Sequence, residues 1–216
     1  MNTRRITFLF LLLSLCIFGQ QKITVEAIFN GEFRAKGMDA LQSLQNTNQY
    51  TVLNYDRASR NTQIDLFDFA TLKKVATLID TKNQNKLSDG IESYTFSSDE
   101  KMILIANNTI PIYRHSFTAD YFLYNIENKE LNKVLEQVQE PTFSPDGKKI
   151  AYAKANNLFI YDIASQSNTQ ITTDGSKNTI INGITDWVYE EEFAFVKAFD
   201  WSADSKKVAY IRFDES

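Results

Sequence analysis

The 216 residues contain one cysteine, one histidine, three prolines and seven glycines, and each scarcity closes off some chemistry. The cysteine, Cys16, lies in an N-terminal stretch that reads as a removable export signal, so the mature chain is expected to have no thiol nucleophile, no Cys-type zinc site and no disulfide. His115 has no second histidine to share a metal with, and no metal ligand or cofactor is expected. The glycines form neither a G-x-S-x-G elbow nor a phosphate-binding loop, so no catalytic residue can be assigned. Base is short as well. Lys and Arg number 23 against 27 Asp and Glu, a net charge of −4. A chain with this balance lacks the basic surface that nucleic acid requires, and no nucleic-acid partner is expected.

Long apolar runs are also missing apart from one. Ile6 to Phe18 is broken only by Thr7 and Ser14. It is shorter than the roughly 20 residues that cross a bilayer, so no stable membrane span is expected. Preceded by Arg4 and Arg5, it fits the apolar core of a secretory signal. Residues 1–19 are read as that signal, with cleavage after Gly19 give or take a residue or two. Leu15 is too bulky for a lipid-attachment site at Cys16. Loss of Arg4 and Arg5 takes the charge from −4 to −6. The product is expected to be exported, to the periplasm, the cell envelope or the medium. Without disulfides it must rely on its core, and 43% hydrophobic and 13% aromatic residues supply one. Abundant Phe and Tyr with little Pro favour ordered β structure.

The chain repeats itself. Phe143-Ser144-Pro145-Asp146-Gly147-Lys148-Lys149-Ile150-Ala151-Tyr152 is echoed by Phe96-Ser97-Ser98-Asp99-Glu100-Lys101-Met102-Ile103-Leu104-Ile105 and by Trp201-Ser202-Ala203-Asp204-Ser205-Lys206-Lys207-Val208-Ala209-Tyr210. Each unit is an aromatic, a Ser-x-Asp turn, a lysine and an apolar strand, and the Ser and Asp side chains can close the turn on their own backbone. A partner unit follows: Leu158-Phe159-Ile160-Tyr161-Asp162-Ile163 matches Tyr121-Phe122-Leu123-Tyr124-Asn125-Ile126 and Ile64-Asp65-Leu66-Phe67-Asp68-Phe69. Short strands in regular sets read as an all-β fold, the blades of a β-propeller, with strands opening near Phe96, Phe143 and Trp201. Ahead of them, residues 37–44 read as one or two helical turns leading into a first strand at Tyr50–Tyr55.

Two intervals break the rhythm. Phe96 to Tyr124 is ten residues longer than Phe143 to Tyr161, and the excess falls between Asn107 and Ala119, around Tyr113-Arg114-His115-Ser116. Tyr161 to Trp201 is 21 residues longer than Tyr124 to Phe143, and the excess falls between Thr173 and Lys197, around Asp186-Trp187-Val188-Tyr189-Glu190-Glu191-Glu192-Phe193. Insertions into a repeat become loops on one face, often the binding face. As a short helix near residues 186–193, the acid run would turn about 100° per residue. Two neighbouring glutamates then converge while the third points away. Trp187 and Glu191 share a face, as do Tyr189 and Phe193, so the aromatics are expected to anchor the turn and aim the acids. Paired carboxylates repel, and a bound ammonium relieves that cost. Adjacent acids on one turn cannot flank a sugar from both sides, which excludes a glycosidase pair.

The stretches Asn182-Gly183-Ile184-Thr185-Asp186-Trp187-Val188-Tyr189-Glu190-Glu191-Glu192 and Tyr113-Arg114-His115-Ser116-Phe117-Thr118-Ala119 resemble the N-terminal half of the dipeptidyl peptidase IV family, prolyl oligopeptidase-like serine peptidases. The resemblance implies a partial propeller, about four blades of an expected eight, over residues 20–216. It also implies a C-terminal α/β-hydrolase domain that the 216 residues do not include. Family members remove N-terminal dipeptides, preferring Pro or Ala second. The implied contacts are Glu191 and Glu192 on the substrate's free amino group and Arg114 on its backbone carbonyl. The implied partners are a peptide with a free N-terminus and the hydrolase domain, with a homodimer open for the full-length form. Without the catalytic triad these residues are expected to be inactive alone. The alternative reading is a non-catalytic periplasmic propeller that binds a protein partner.

Overall fold

The computed structural model describes residues 23–35, 40–56, 58–59, 61–87 and 89–216. The expected signal, residues 1–19, lies outside the described residues. Two compact units meet in sequence at residues 39 and 40. The described part of the first carries one short helix, α1 (Val25–Phe29), capped by Thr24, whose side-chain oxygen accepts the Ala27 amide at 3.1 Å.

The second unit is built from antiparallel strands. Strands β1 (Leu41–Ser43), β2 (Gln49–Tyr55), β3 (Thr62–Asp68) and β4 (Lys74–Asp80) form a four-stranded sheet in chain order. Leu41–Ser43 is therefore a strand and not the end of a helix, with Leu41 opposite Val52 and Ser43 opposite Tyr50. A helix of one or two turns has too few hydrogen bonds to offset its nucleation cost, and pairing with β2 satisfies the same backbone groups. Residues 36–39 lie outside the described residues.

The next seven strands form one sheet: β5 (Ser93–Phe96), β6 (Met102–Pro111), β7 (Phe117–Asn125), β8 (Leu131–Phe143), β9 (Lys149–Lys154), β10 (Asn157–Asp162) and β11 (Ser167–Gln170). This is two four-stranded blades sharing a strand. The first part of β8 pairs with β7 through Val138, and the rest pairs with β9 from Gln139 onward. Gln137 and Glu140 sit at φ 48° and 52°, and this left-handed pair bends β8 from one blade into the next. Beyond them, β12 (Ile180–Asn182) pairs with β15 (Arg212–Asp214), β13 (Phe199–Trp201) pairs with β14 (Val208–Tyr210), and helix α2 (Trp187–Phe193) lies between β12 and β13.

Both faces of the inner strands are buried. Ile103 and Ile105 pack with Ile64, Ile79, Phe122 and Tyr124, whereas Leu104 and Ala106 pack with Tyr121, Val138, Ile150 and Tyr152. Ala151 and Ala153 turn from the face of Ile150 toward Leu158, Ile181 and Phe199. Side chains alternate across a strand, so a strand wedged between two blades must be apolar at every position. The runs Ile103-Leu104-Ile105-Ala106 and Ile150-Ala151-Tyr152-Ala153 meet that requirement.

The repeated turns have one geometry. Ser97, Ser144 and Ser202 each place their hydroxyl against Oδ1 of Asp99, Asp146 and Asp204 at 2.7, 2.6 and 2.7 Å. Each also accepts a backbone amide, from Met102, Lys149 and Lys207, at 3.0, 3.0 and 2.9 Å. The aromatic of each unit ends the first strand of its blade instead of opening it, because the turn that follows needs its own backbone conformation. Neighbouring turns also bond each other: Ser98 Oγ donates to the Pro145 carbonyl at 2.5 Å, and the Asp146 amide donates to Ser205 Oγ at 3.0 Å.

Ser144 is buried, so Ser144→Ala leaves the Lys149 amide without an acceptor and is expected to cost about 1–2 kcal/mol in urea unfolding. A cost under about 0.3 kcal/mol would contradict that role. The seryl hydroxyls are the main reason that Asp99, Asp146 and Asp204 lie below the usual aspartate range. Carboxyls lowered by folding stabilise the fold above the ordinary aspartate value and lose that effect as pH falls through the lowered values. Titration by carbon-detected NMR is expected to show all three Asp shifted down, and Ser144→Ala to return Asp146 alone toward normal.

Candidate functional site

The two insertions found by spacing meet each other. The first lengthens the β6–β7 hairpin, whose tip is closed by the Ile112 amide donating to the Ser116 carbonyl at 2.9 Å. The second carries α2, which Asp186 starts as N-cap by accepting the Tyr189 amide at 2.8 Å. Ala194 ends it in the left-handed region at φ 50°. The chain reaches α2 through Gly183, at φ +77°, where the backbone passes close to Leu158.

Arg114 stands at the hairpin tip with Nη1 3.3 Å from Glu191 Oε2. The arginine side chain is 71% exposed and that of Glu191 17%. Glu192, next along the helix, is exposed. Arg114 and Glu191 are thus brought together, and Glu192 follows on the same helix. Arg114 and Glu191 pair directly instead of standing apart around a polar space. An ion pair this open to water contributes at most about 1 kcal/mol, so an incoming charged group can replace or share it cheaply.

Glu190 behaves differently from its neighbours. It is 1% exposed, and its Oε1 accepts the backbone amides of His115 at 2.6 Å and Ser116 at 2.9 Å. Hydrogen bonds to a charged acceptor are worth about 1.5–3 kcal/mol each. On these magnitudes Glu190 is a stronger tie between tip and helix than the Arg114–Glu191 pair. Burial pushes the Glu190 carboxyl up, but the donors that Ser116 and His115 present to it outweigh that and hold it below the usual glutamate range. Glu140 on β8 feels the reverse: burial and then the Glu190 charge push it up, against Lys197, which lowers it.

Sequence reasoning expected the aromatics to anchor this helix, and they do so only in part. Trp187, Tyr189 and Phe193 are 56%, 41% and 68% exposed. Tyr189 does pack, with tilted rings, against Phe193 at 5.6 Å, as the helical spacing requires, and against Phe213 at 4.9 Å. The inward position belongs to Glu190 because two unpaired amides face it, and a carboxylate so satisfied can be buried. No pattern of residue types distinguished the three adjacent glutamates; only the neighbouring hairpin does.

A cleft of about 640 Å³ lies beside these residues, lined among others by Tyr113, Ser116, Gln139, Asp186, Trp187 and Glu215. Arg114, Glu191 and Glu192 lie outside its lining. Among the described residues no cluster of His, Cys, Asp and Glu is arranged to hold a metal. No helix among them is long and apolar enough to cross a membrane.

Residues 97–216 match the family model described as the dipeptidyl peptidase IV N-terminal region. The crystal structure of Porphyromonas gingivalis dipeptidyl peptidase 4 superposes with a TM-score of 0.81 at 34% identity, covering 92% of this chain and 28% of that one. Dipeptidyl peptidase 4 of Felis catus is 35% identical over 136 residues, which is 61% of this chain and 18% of the relative. Prolyl endopeptidase FAP of Mus musculus is 30% identical over 201 residues, 91% of this chain and 25% of the relative. The chain therefore spans about a quarter or less of the curated relatives it matches.

Proposed function

Because the chain belongs to the dipeptidyl peptidase IV family, we propose that it is the substrate-gripping propeller part of an exported serine exopeptidase that removes dipeptides from peptide N-termini. Glu191 and Glu192 take the substrate's free ammonium, and Arg114 takes a backbone carbonyl of the same dipeptide. One observation carries the reading: insertions far apart in sequence bring Arg114 Nη1 to 3.3 Å from Glu191 Oε2, with Glu192 open to solvent beside it. In the unliganded site Arg114 partly neutralises Glu191. An ammonium supplies up to three N–H donors to the same oxygens and releases the guanidinium toward a carbonyl. Peptide-bond cleavage is assigned to a hydrolase domain of the kind the family carries, and no residue described here is its nucleophile. Residues 1–19 are assigned to export.

The free amine is the group under test. Titration of the chain with Gly-Pro, followed by amide NMR, is expected to shift resonances at Arg114, Glu191 and Glu192. Acetyl-Gly-Pro, which has no ammonium, is expected to bind at least tenfold more weakly. Equal binding of the two dipeptides would remove the ammonium from the account.

A further inference from the structure

Three consecutive glutamates share one chemistry and occupy three environments. Glu192 is exposed, Glu191 is partly covered and paired with Arg114, and Glu190 is 1% exposed with no ion pair among the described residues. The donors that hold Glu190 belong to the main chain, the amides of His115 and Ser116 at 2.6 and 2.9 Å on a single oxygen. Its other oxygen, Oε2, is buried without a partner, as is the Ser116 hydroxyl. A carboxylate that binds a side chain fixes that side chain. One that binds two successive amides fixes the backbone of the turn.

We infer that Glu190 is a positioning residue: it clamps the backbone that directly follows Arg114 onto helix α2 and so sets where Arg114 stands relative to Glu191 and Glu192. The Arg114 side chain is long and 71% exposed, and its exposed pairing with Glu191 is too weak to hold the hairpin tip. The His115 amide is one peptide bond from Arg114, and Glu190 is one peptide bond from Glu191. A single buried group therefore locates the cationic and the anionic halves of the site together. The inference rests on the proposed function only for what the site receives. The clamp itself is a statement about two amides and one carboxylate.

The test combines hydrogen exchange with ligand binding on the 216-residue chain. In the wild type the His115 and Ser116 amides should exchange slowly although they lie at a hairpin tip. Free exchange at both would overturn the inference without any variant being made. In Glu190→Ala both amides should exchange at least tenfold faster while amides of β9 and β10 keep their protection. Gly-Pro affinity should fall about tenfold although Glu191 and Glu192 are untouched. Glu190→Gln keeps an acceptor oxygen and should recover part of both effects. Glu191→Gln should weaken Gly-Pro binding and leave the two amides protected. Unchanged exchange in Glu190→Ala, or an acceleration spread evenly over the sheet, would contradict the clamp. Absence of Gly-Pro binding to the wild type would defeat the proposed function, and the exchange results would still decide for or against the clamp.

Discussion

Gly183→Ala is expected to lower the stability of the fold by about 2–5 kcal/mol. Two independent effects add. Gly183 sits at φ +77°, where an L side chain costs about 1–2 kcal/mol. A Cβ there would lie 2.5 Å from Cδ2 and 2.8 Å from Cγ of Leu158. Leu158 is 1% exposed and packs with Ile181, Ile184 and Phe199, so it has nowhere to go, and overpacking of this kind costs about 1–3 kcal/mol. The backbone cannot retreat either. The Gly183 amide donates to the Ile211 carbonyl at 3.0 Å, and its carbonyl accepts the Ala198 amide at 2.8 Å. Urea unfolding of the variant against wild type measures the loss. A change below about 1 kcal/mol would mean that the chain entering α2 is freer than its hydrogen bonds indicate. Gly183 begins the approach to Asp186, so the same variant should also displace the acidic helix and weaken binding of Gly-Pro.

Glu191→Ala and Glu192→Ala are each expected to weaken binding of a free-amine dipeptide by about 1.5–3 kcal/mol, roughly 10- to 150-fold, the scale of a charge-assisted hydrogen bond. Their effect on stability should stay within about 0.5 kcal/mol, because Glu192 is exposed and the partner of Glu191 is an exposed arginine. Glu190→Ala should differ from both by moving stability and binding together, since it strands two amides. Calorimetric titration with Gly-Pro beside urea unfolding separates the three residues. Full affinity in Glu191→Ala and Glu192→Ala would disqualify the pair as the amino-group site, whatever the fold.

The contrast among these residues shows what was legible in the sequence. The blades were legible because each is a local device. The Ser-x-Asp turn closes within six residues, and a strand buried on both sides must read as an unbroken apolar run, as Ile103 to Ala106 does. The insertions were legible as arithmetic, since a repeat that lengthens must bulge somewhere, and the excess between Asn107 and Ala119 and between Thr173 and Lys197 holds Arg114 and α2. The burial of Glu190 was not legible. It depends on amides at His115 and Ser116 that are 75 and 74 residues away, and a backbone N–H leaves no trace in a pattern of side chains. The sharing of β8 by two blades escaped for a similar reason. Gln137 and Glu140 adopt left-handed conformations that neither residue type advertises, so the bend comes from the sheets on either side. The aromatics of α2 share helix faces by their spacing and are expected on that ground to anchor the turn, but spacing does not say which face meets the blades. At this site the helix turns its acid inward and leaves the aromatics largely outside.

The central claim is that the acidic helix and the hairpin tip grip the amino end of a peptide. A crystal structure of the chain grown with Gly-Pro tests it most directly. The account predicts the dipeptide's ammonium within about 3.2 Å of carboxylate oxygens of both Glu191 and Glu192. It predicts Arg114 turned from Glu191 toward the dipeptide carbonyl, and Glu190 still holding the His115 and Ser116 amides. A dipeptide bound with its ammonium elsewhere, and the Arg114–Glu191 pair undisturbed, would contradict it.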